Sequence, residues 1–241
     1  ELANVDTQLN VRLAGATALA TRMRLKREQD WIATYFAPGV WTTNYTGVAA
    51  TPAAGQVIRW DSFDTSTPVE DVTKAKTAMF LASGGAASYT DIVAVMTQDV
   101  YDVLINHPRI IARMNGGSTV SNPALITKAK LAEVFGVAEI LIPRAIGNTG
   151  KEGLADNHGF LVKNRFGLFA RPKNPGIMTP ASGYNFTWSA GTNAGFGIDV
   201  NSYTGEYLRI KHVVEKLEVV NSWAMKVVSP DMAVLFDTVL A

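Results

Sequence analysis

Histidine is the side chain best suited to move protons near neutral pH, and this sequence holds three, His107, His158 and His212. They stand in separate segments, and no His-Glu-x-x-His pair is present to place two imidazoles on one helical face for zinc. The acidic residues do not follow the spacing of a calcium loop. Gly147-Asn148-Thr149-Gly150-Lys151-Glu152 invites comparison with a phosphate-binding loop. That motif needs four residues between its glycines and a hydroxyl residue after the lysine, so that backbone amides and a magnesium ligand face the phosphates. Here two residues separate the glycines and Glu152 would repel an anion, so the segment reads as a turn. Asn44-Tyr45-Thr46 and Asn185-Phe186-Thr187 fit a glycosylation acceptor pattern that is common by chance. Trp31, Trp41, Trp60, Trp188 and Trp223 are dispersed, which suits core packing better than a base-stacking platform. The residues predict no catalytic, cofactor-binding or metal site.

Composition narrows the class further. The chain has 241 residues, 47% hydrophobic and 18% charged, which suits a folded protein and is too apolar for disorder. No stretch approaches the roughly 18 apolar residues of a membrane span, and no secretory signal is visible. Cysteine is absent, so stability has to come from packing, hydrogen bonds and neighbours. The formal net charge is +1, from 22 basic and 21 acidic residues. A dedicated nucleic-acid binder concentrates positive charge; a balanced surface suits contact with copies of itself.

The elements that would position any site can be read in order. A long helix is expected over about 6–36, capped at Asp6, stopped by Pro38-Gly39, and about 45 Å in length. Leu9, Leu13, Ala16, Ala20 and Met23 make its apolar stripe, and Arg22, Arg24, Lys26, Arg27 and Glu28 crowd the turns beside it. That cluster fits a solvated face, or ion pairing across a subunit boundary. Residues 37–67 read as an extended connection anchored by Trp41 and Trp60, with short strands near 40–45 and 56–60. A second helix opens at Thr67-Pro68 with Thr67 as its cap and ends at Gly84-Gly85.

A strand is expected at 92–96, a helix at about 98–106 broken by His107-Pro108, and a helical turn reaching Met114. A glycine-containing loop (116–122) leads to a helix through Lys128, Leu131 and Phe135 that Gly136 ends, then a buried strand at 140–142. Beyond it come a polar loop (143–159), strands at 160–170 and 184–188, and a glycine-marked loop. Two longer strands at about 206–218 and 219–228 and a last one at 233–239 close the chain.

Several short strings, in this order, resemble the major capsid protein of tailed phages, over essentially the whole chain. They are Leu25-Lys26-Arg27-Glu28 with Trp31, Gly39-Val40-Trp41, Trp60-Asp61, and Ser66-Thr67-Pro68-Val69-Glu70-Asp71-Val72. His107-Pro108, then Leu131-Ala132-Glu133-Val134-Phe135-Gly136-Val137 before Glu139-Ile140-Leu141-Ile142, continue the series. Gly183-Tyr184-Asn185-Phe186-Thr187-Trp188 and Ser229-Pro230-Asp231 complete it.

The resemblance implies an α+β Hong Kong 97-type fold: a peripheral domain with the spine helix over 1–88, an axial domain over 89–201, peripheral strands over 202–228, and a final strand over 229–241 returning to the axial domain. It implies a structural, non-enzymatic subunit that forms hexamers and pentamers of an icosahedral head around double-stranded DNA, assembled in the host cytoplasm and residing in the virion. Its partners would be itself, with decoration, scaffold or portal proteins, and DNA by diffuse contact; no cofactor and no membrane are implied. The family carries an amino-terminal arm and a protruding loop ahead of the spine helix, which would precede Glu1. Pro143-Arg144 departs from the glycine-containing pair common in relatives, leaving the geometry of the following loop open. Arg22, Arg24, Lys26, Arg27 and Glu28 are the assembly-interface candidates. Two other readings compete: an encapsulin-type bacterial compartment, and a small soluble α/β enzyme using His107 or His158.

Overall fold

The structure is a computed structural model that describes residues 11–114, 126–148, 150–151, 153–176, 178–187, 199–206 and 213–241, with the backbone alone for 11–13, 199–206 and 213–220. Five helices, α1 to α5, are described: Val11–Tyr35, Pro68–Ala82, Gln98–Ile105, Pro108–Met114 and Lys128–Phe135. Strands β1 to β6 are Thr43–Val48, Gln56–Ile58, Ile92–Met96, Glu139–Leu141, Ile146–Asn148 and His158–Phe160. Strands β7 to β12 are Phe166–Ala170, Gly183–Thr187, Asp199–Glu206, Val213–Val220, Trp223–Val227 and Ala233–Asp237. The result is a mixed α/β fold.

A six-stranded mixed sheet runs β2-β1-β12-β7-β3-β4. β12 and β3 both lie antiparallel to β7, while β1 runs parallel to β12 and β4 parallel to β3. The central strands β3 and β7 are buried at every position, which is why Ile-Val-Ala-Val-Met and Phe-Gly-Leu-Phe-Ala read as apolar runs without alternation. Along β7 the side chains still alternate between two layers. Phe166 points to the helical side, where its ring meets Trp60, Phe135 and Phe236 at 5.2, 5.9 and 5.6 Å. Phe169 points the other way, against Phe36 and edge-on to Trp41. Gly167 is small because a Cβ there would lie 2.7 Å from the Phe169 ring.

The helical layer forms because α2, α3 and α5 each present an apolar stripe. Val69, Val72, Ala75 and Met79 of α2, Val100 and Leu104 of α3, and Leu131 and Phe135 of α5 share one core with Ile140, Leu168 and Val234. α5 ends where Gly136 adopts φ +59, the left-handed conformation glycine tolerates best, as its position after Phe135 predicts. Thr67 does precede α2, but its hydroxyl donates to Asp71 Oδ1 at 3.3 Å instead of capping a backbone amide.

The chain divides into two compact units, 1–31 with 185–226 and 32–184 with 227–241. β1, β2 and α2 fall in the unit that bears the six-stranded sheet and share its core. In the other unit β9 and β10 form an antiparallel pair, with Val213 opposite Glu206 and Val220 opposite Asp199.

Several boundaries differ from expectation for physical reasons. The expected 160–170 strand is two strands, interrupted where Asn164 takes φ +56 and its amide donates to Asp99 Oδ2 at 2.7 Å. The polar segment 143–159 contains β5 and leads to β6, paired by Ile146 opposite Phe160. The two strands expected at 206–218 and 219–228 correspond to β10 and β11, which Asn221-Ser222 separate, and β9, which pairs with β10, lies ahead of them where a loop was expected. The strand expected fully buried at 140–142 is β4, a sheet edge on which Leu141 is exposed. The proposed cap Asp6, the stripe residue Leu9 and the 116–122 loop lie outside the described residues.

Candidate functional site

The assembly candidates lie on α1, whose sequence contains no proline. Within the sheet-bearing unit Tyr35 and Phe36 are buried, and the Arg165 guanidinium donates to the Phe36 carbonyl at 2.9 Å and pairs with Asp237 at 2.8 Å. Arg22, Arg24 and Lys26 are exposed, and Arg27 and Glu28 are half-buried. At 3.6 residues per turn Arg22 and Lys26 stack on one side, while Arg24 and Glu28 stack on another. The cluster therefore coats the helix and does not converge on one point. Lys26 pairs with Asp30 at 2.9 Å. The same carboxylate accepts the Trp223 indole N–H at 3.2 Å, which joins α1 to β11 within one unit. Sequence spacing could show the i,i+4 pair but not the bond to a residue 193 positions away.

The histidines take separate roles. His107 is completely buried. Its Nδ1 accepts the Arg109 backbone N–H at 3.2 Å, so the neutral ring carries its proton on Nε2 and donates to Ser66 Oγ at 2.9 Å. The Ser66 hydroxyl donates in turn to the Ser62 carbonyl at 2.7 Å. A serine whose partner histidine is already its donor has no base to take its proton, so this pair is not a nucleophilic dyad. Burial, then the nearby Arg109, holds the imidazole below its ordinary value, against a smaller opposite pull from Glu70. His158 is exposed on β6, and His212 lies outside the described residues.

Gly147 and Asn148 of the Gly147–Glu152 segment belong to β5, and Thr149 and Glu152 lie outside the described residues. The Asn148 Oδ1 accepts the amides of Gly150 and Asn157 at 2.9 and 3.0 Å, while its Nδ2 donates to Asp156 Oδ1 at 2.6 Å. The Gly150 amide is therefore already taken by a side chain of the same segment. Asn44 of the first Asn-x-Thr triplet is part of β1, with its side-chain amide donating to the Trp41 carbonyl. Among the described residues no group of three metal-ligating side chains converges, and no helix is long and apolar enough to cross a membrane.

Sequence reasoning missed two buried charged residues on α2. Asp71 accepts the Trp60 indole N–H at 3.2 Å, and burial raises its carboxyl above the usual range although both hydrogen bonds pull the other way. Lys76 donates to the carbonyls of Phe135 and Gly136 at the end of α5, and burial lowers its ammonium below the usual lysine value. Both fall on the apolar face of α2, next to Val72 and Ala75, and that breach of the helical pattern was the available signal.

No family model matches the chain, and neither does any curated protein at the level of sequence. Solved structures do. The fold is similar to a phage-related protein from Bordetella bronchiseptica RB50, with a TM-score of 0.70 and 18% identity over 97% of this chain and 69% of that one. It is also similar to the capsid of the cyanophage P-SCSP1u, with a TM-score of 0.56 and 12% identity over 98% of this chain and 68% of that one. A virus-like particle from Pyrococcus furiosus scores 0.44 at 15% identity, over 88% of this chain and 63% of that one. At such identities the likeness is one of fold: five helices and a mixed sheet in the arrangement of a phage capsid protein.

Proposed function

We propose that this chain is the major capsid subunit of a tailed phage, with the Hong Kong 97-type fold, building an icosahedral head of hexamers and pentamers around double-stranded DNA. The observation that carries the reading is the extent of the fold likeness, which takes in α1, the six-stranded sheet and the outer strands together, 98% of the chain in the cyanophage capsid comparison.

The physical features agree with a structural subunit. The buried polar groups that can be traced, Ser66–His107, Asp71–Trp60 and Lys76 with the end of α5, are spent on holding the core. The chain as a whole is close to charge balance, and α1 carries exposed cations. In this reading residues 1–88 with 202–228 are the peripheral, spine-helix part, and residues 89–201 with the final strand, 229–241, are the axial part. Assembly proceeds through several modest interfaces per subunit, whose linkage raises effective concentration until a closed shell is favoured over any single contact. Contact with enclosed DNA is diffuse and weakens as salt rises. Scaffold, decoration and portal proteins are the expected partners, the host cytoplasm the place of assembly, and the virion the final location.

Electron microscopy of concentrated protein, followed by extraction of whatever the particles enclose, tests this. Curved sheets or closed shells, enclosing nuclease-sensitive DNA when recovered from infected cells, are expected. Shells filled with a protein cargo would refute the phage-head assignment while keeping the shell.

A further inference from the structure

We propose that His107 is an acid-sensitive latch, closing the corner between α3 and α4 when neutral and opening it when protonated. This holds whatever the chain builds, because it rests on local geometry.

His107 stands directly before Pro108, the first residue of α4. Its Nδ1 takes the Arg109 amide, so the imidazole fills the role that Ser, Thr, Asp or Asn usually fills at a helix start. The Ile110 and Ile111 amides both bond to the His107 carbonyl at 3.0 Å, so ring and backbone of one residue hold the first turn. On its other side the ring grips Ser66, and through it the Ser62 carbonyl, which ties the corner to the loop entering α2. The Phe63 ring closes over it edge-on at 5.5 Å.

Protonation requires a hydrogen on Nδ1, the atom now accepting from Arg109. Two donors would then face each other, the cap would be lost, and a cation would sit at zero solvent exposure. The charged groups on the surrounding elements offer little relief. α4 carries Arg109, which repels an imidazolium, and Arg113, which is paired with Glu70. On α2, Glu70 is the acid that favours protonation, yet it already pairs with Arg113. Asp64, in the loop before α2, meets α4 through its carbonyl, which accepts from the Arg109 guanidinium at 3.2 Å. On α3, Asp99 accepts the Asn164 and Val100 amides, and Asp102 accepts from Gln98. Opening the corner is the way to hydrate the cation.

The sign follows from linkage. The folded state excludes the proton that the unfolded chain accepts near the ordinary value of 6.5. The stabilisation is therefore full above that pH and is lost as pH falls below it toward the folded value.

Hydrogen exchange at pH 7.5 and pH 5.0, corrected for the intrinsic rate, reads the latch directly in peptides covering α3 and α4. Protection in the first turn of α4 should fall at least tenfold at the lower pH in the wild type. His107→Asn keeps a cap acceptor that does not titrate in this range, and its protection should be nearly unchanged between the two pH values. Ser66→Ala retains the titrating ring, and the fall should persist. An equal fall in His107→Asn, or no fall in Ser66→Ala, would overturn the assignment. Should His107→Asn not fold, an NMR titration of the wild-type ring decides. A midpoint below 6.5 supports the latch, and one at or above 6.5 rejects it.

Discussion

Lys76 and Gly136 meet end to end although 60 residues separate them: the ammonium donates to the Gly136 carbonyl at 3.2 Å, and a Cβ on Gly136 would lie 3.0 Å from Nζ. The last carbonyls of α5 thus receive a cation where the helix dipole favours one. Lys76→Met keeps the stem and removes the donor, and should destabilise by about 2 kcal/mol at neutral pH in urea denaturation, the usual penalty for buried carbonyls left unpaired. Because burial depresses the folded ammonium, the unfolded chain holds its proton more tightly. The wild type should therefore gain on Lys76→Met as pH rises from the folded value toward 10.5. A difference independent of pH between 7 and 10 would contradict this.

Gly47 of β1 packs on the turn that ends β12. A Cβ there would sit 2.0 Å from the Thr238 carbonyl oxygen, and Thr238 itself holds φ +51. The obstacle is backbone, so it cannot rotate away. Gly47→Ala should lower stability by about 3 kcal/mol, at the upper end for overpacking. Thermal melting of the purified variant checks it, and an unchanged midpoint would show that β1 and the 238–239 turn move apart easily.

Arg22→Ala, Arg24→Ala and Arg27→Ala combined should impair assembly far more than folding. Arg22 and Arg24 project from α1 into solvent, where single substitutions usually shift stability by under about 0.5 kcal/mol. Circular dichroism should report an ordinary melt while particle yield drops at least tenfold. Normal closed particles from the triple variant would remove the interface role of this cluster.

Much of the sheet-bearing unit was legible from sequence because its signals are local. Ile92–Met96 is an unbroken apolar run, His107-Pro108 a helix break, and Gly136 a left-handed stop. What escaped depends on partners distant in the chain. Asp199–Glu206 has little apolar alternation and is a strand because Val213–Val220 supplies its ladder. β1 follows the first helix in sequence, yet its place in the sheet is set by β12, from the far end of the chain. The candidate site was only half visible: the run of cations on α1 is plain, whereas the bond from Trp223 to Asp30 depends on tertiary contact.

The central claim is that the stabilising neighbours of this chain are identical copies. Sedimentation velocity over a hundredfold range of protein concentration tests it most directly. Growth from small species to ring-sized oligomers and then to fast-sedimenting closed particles is the predicted result. A single 25.9 kDa species at every concentration would contradict it.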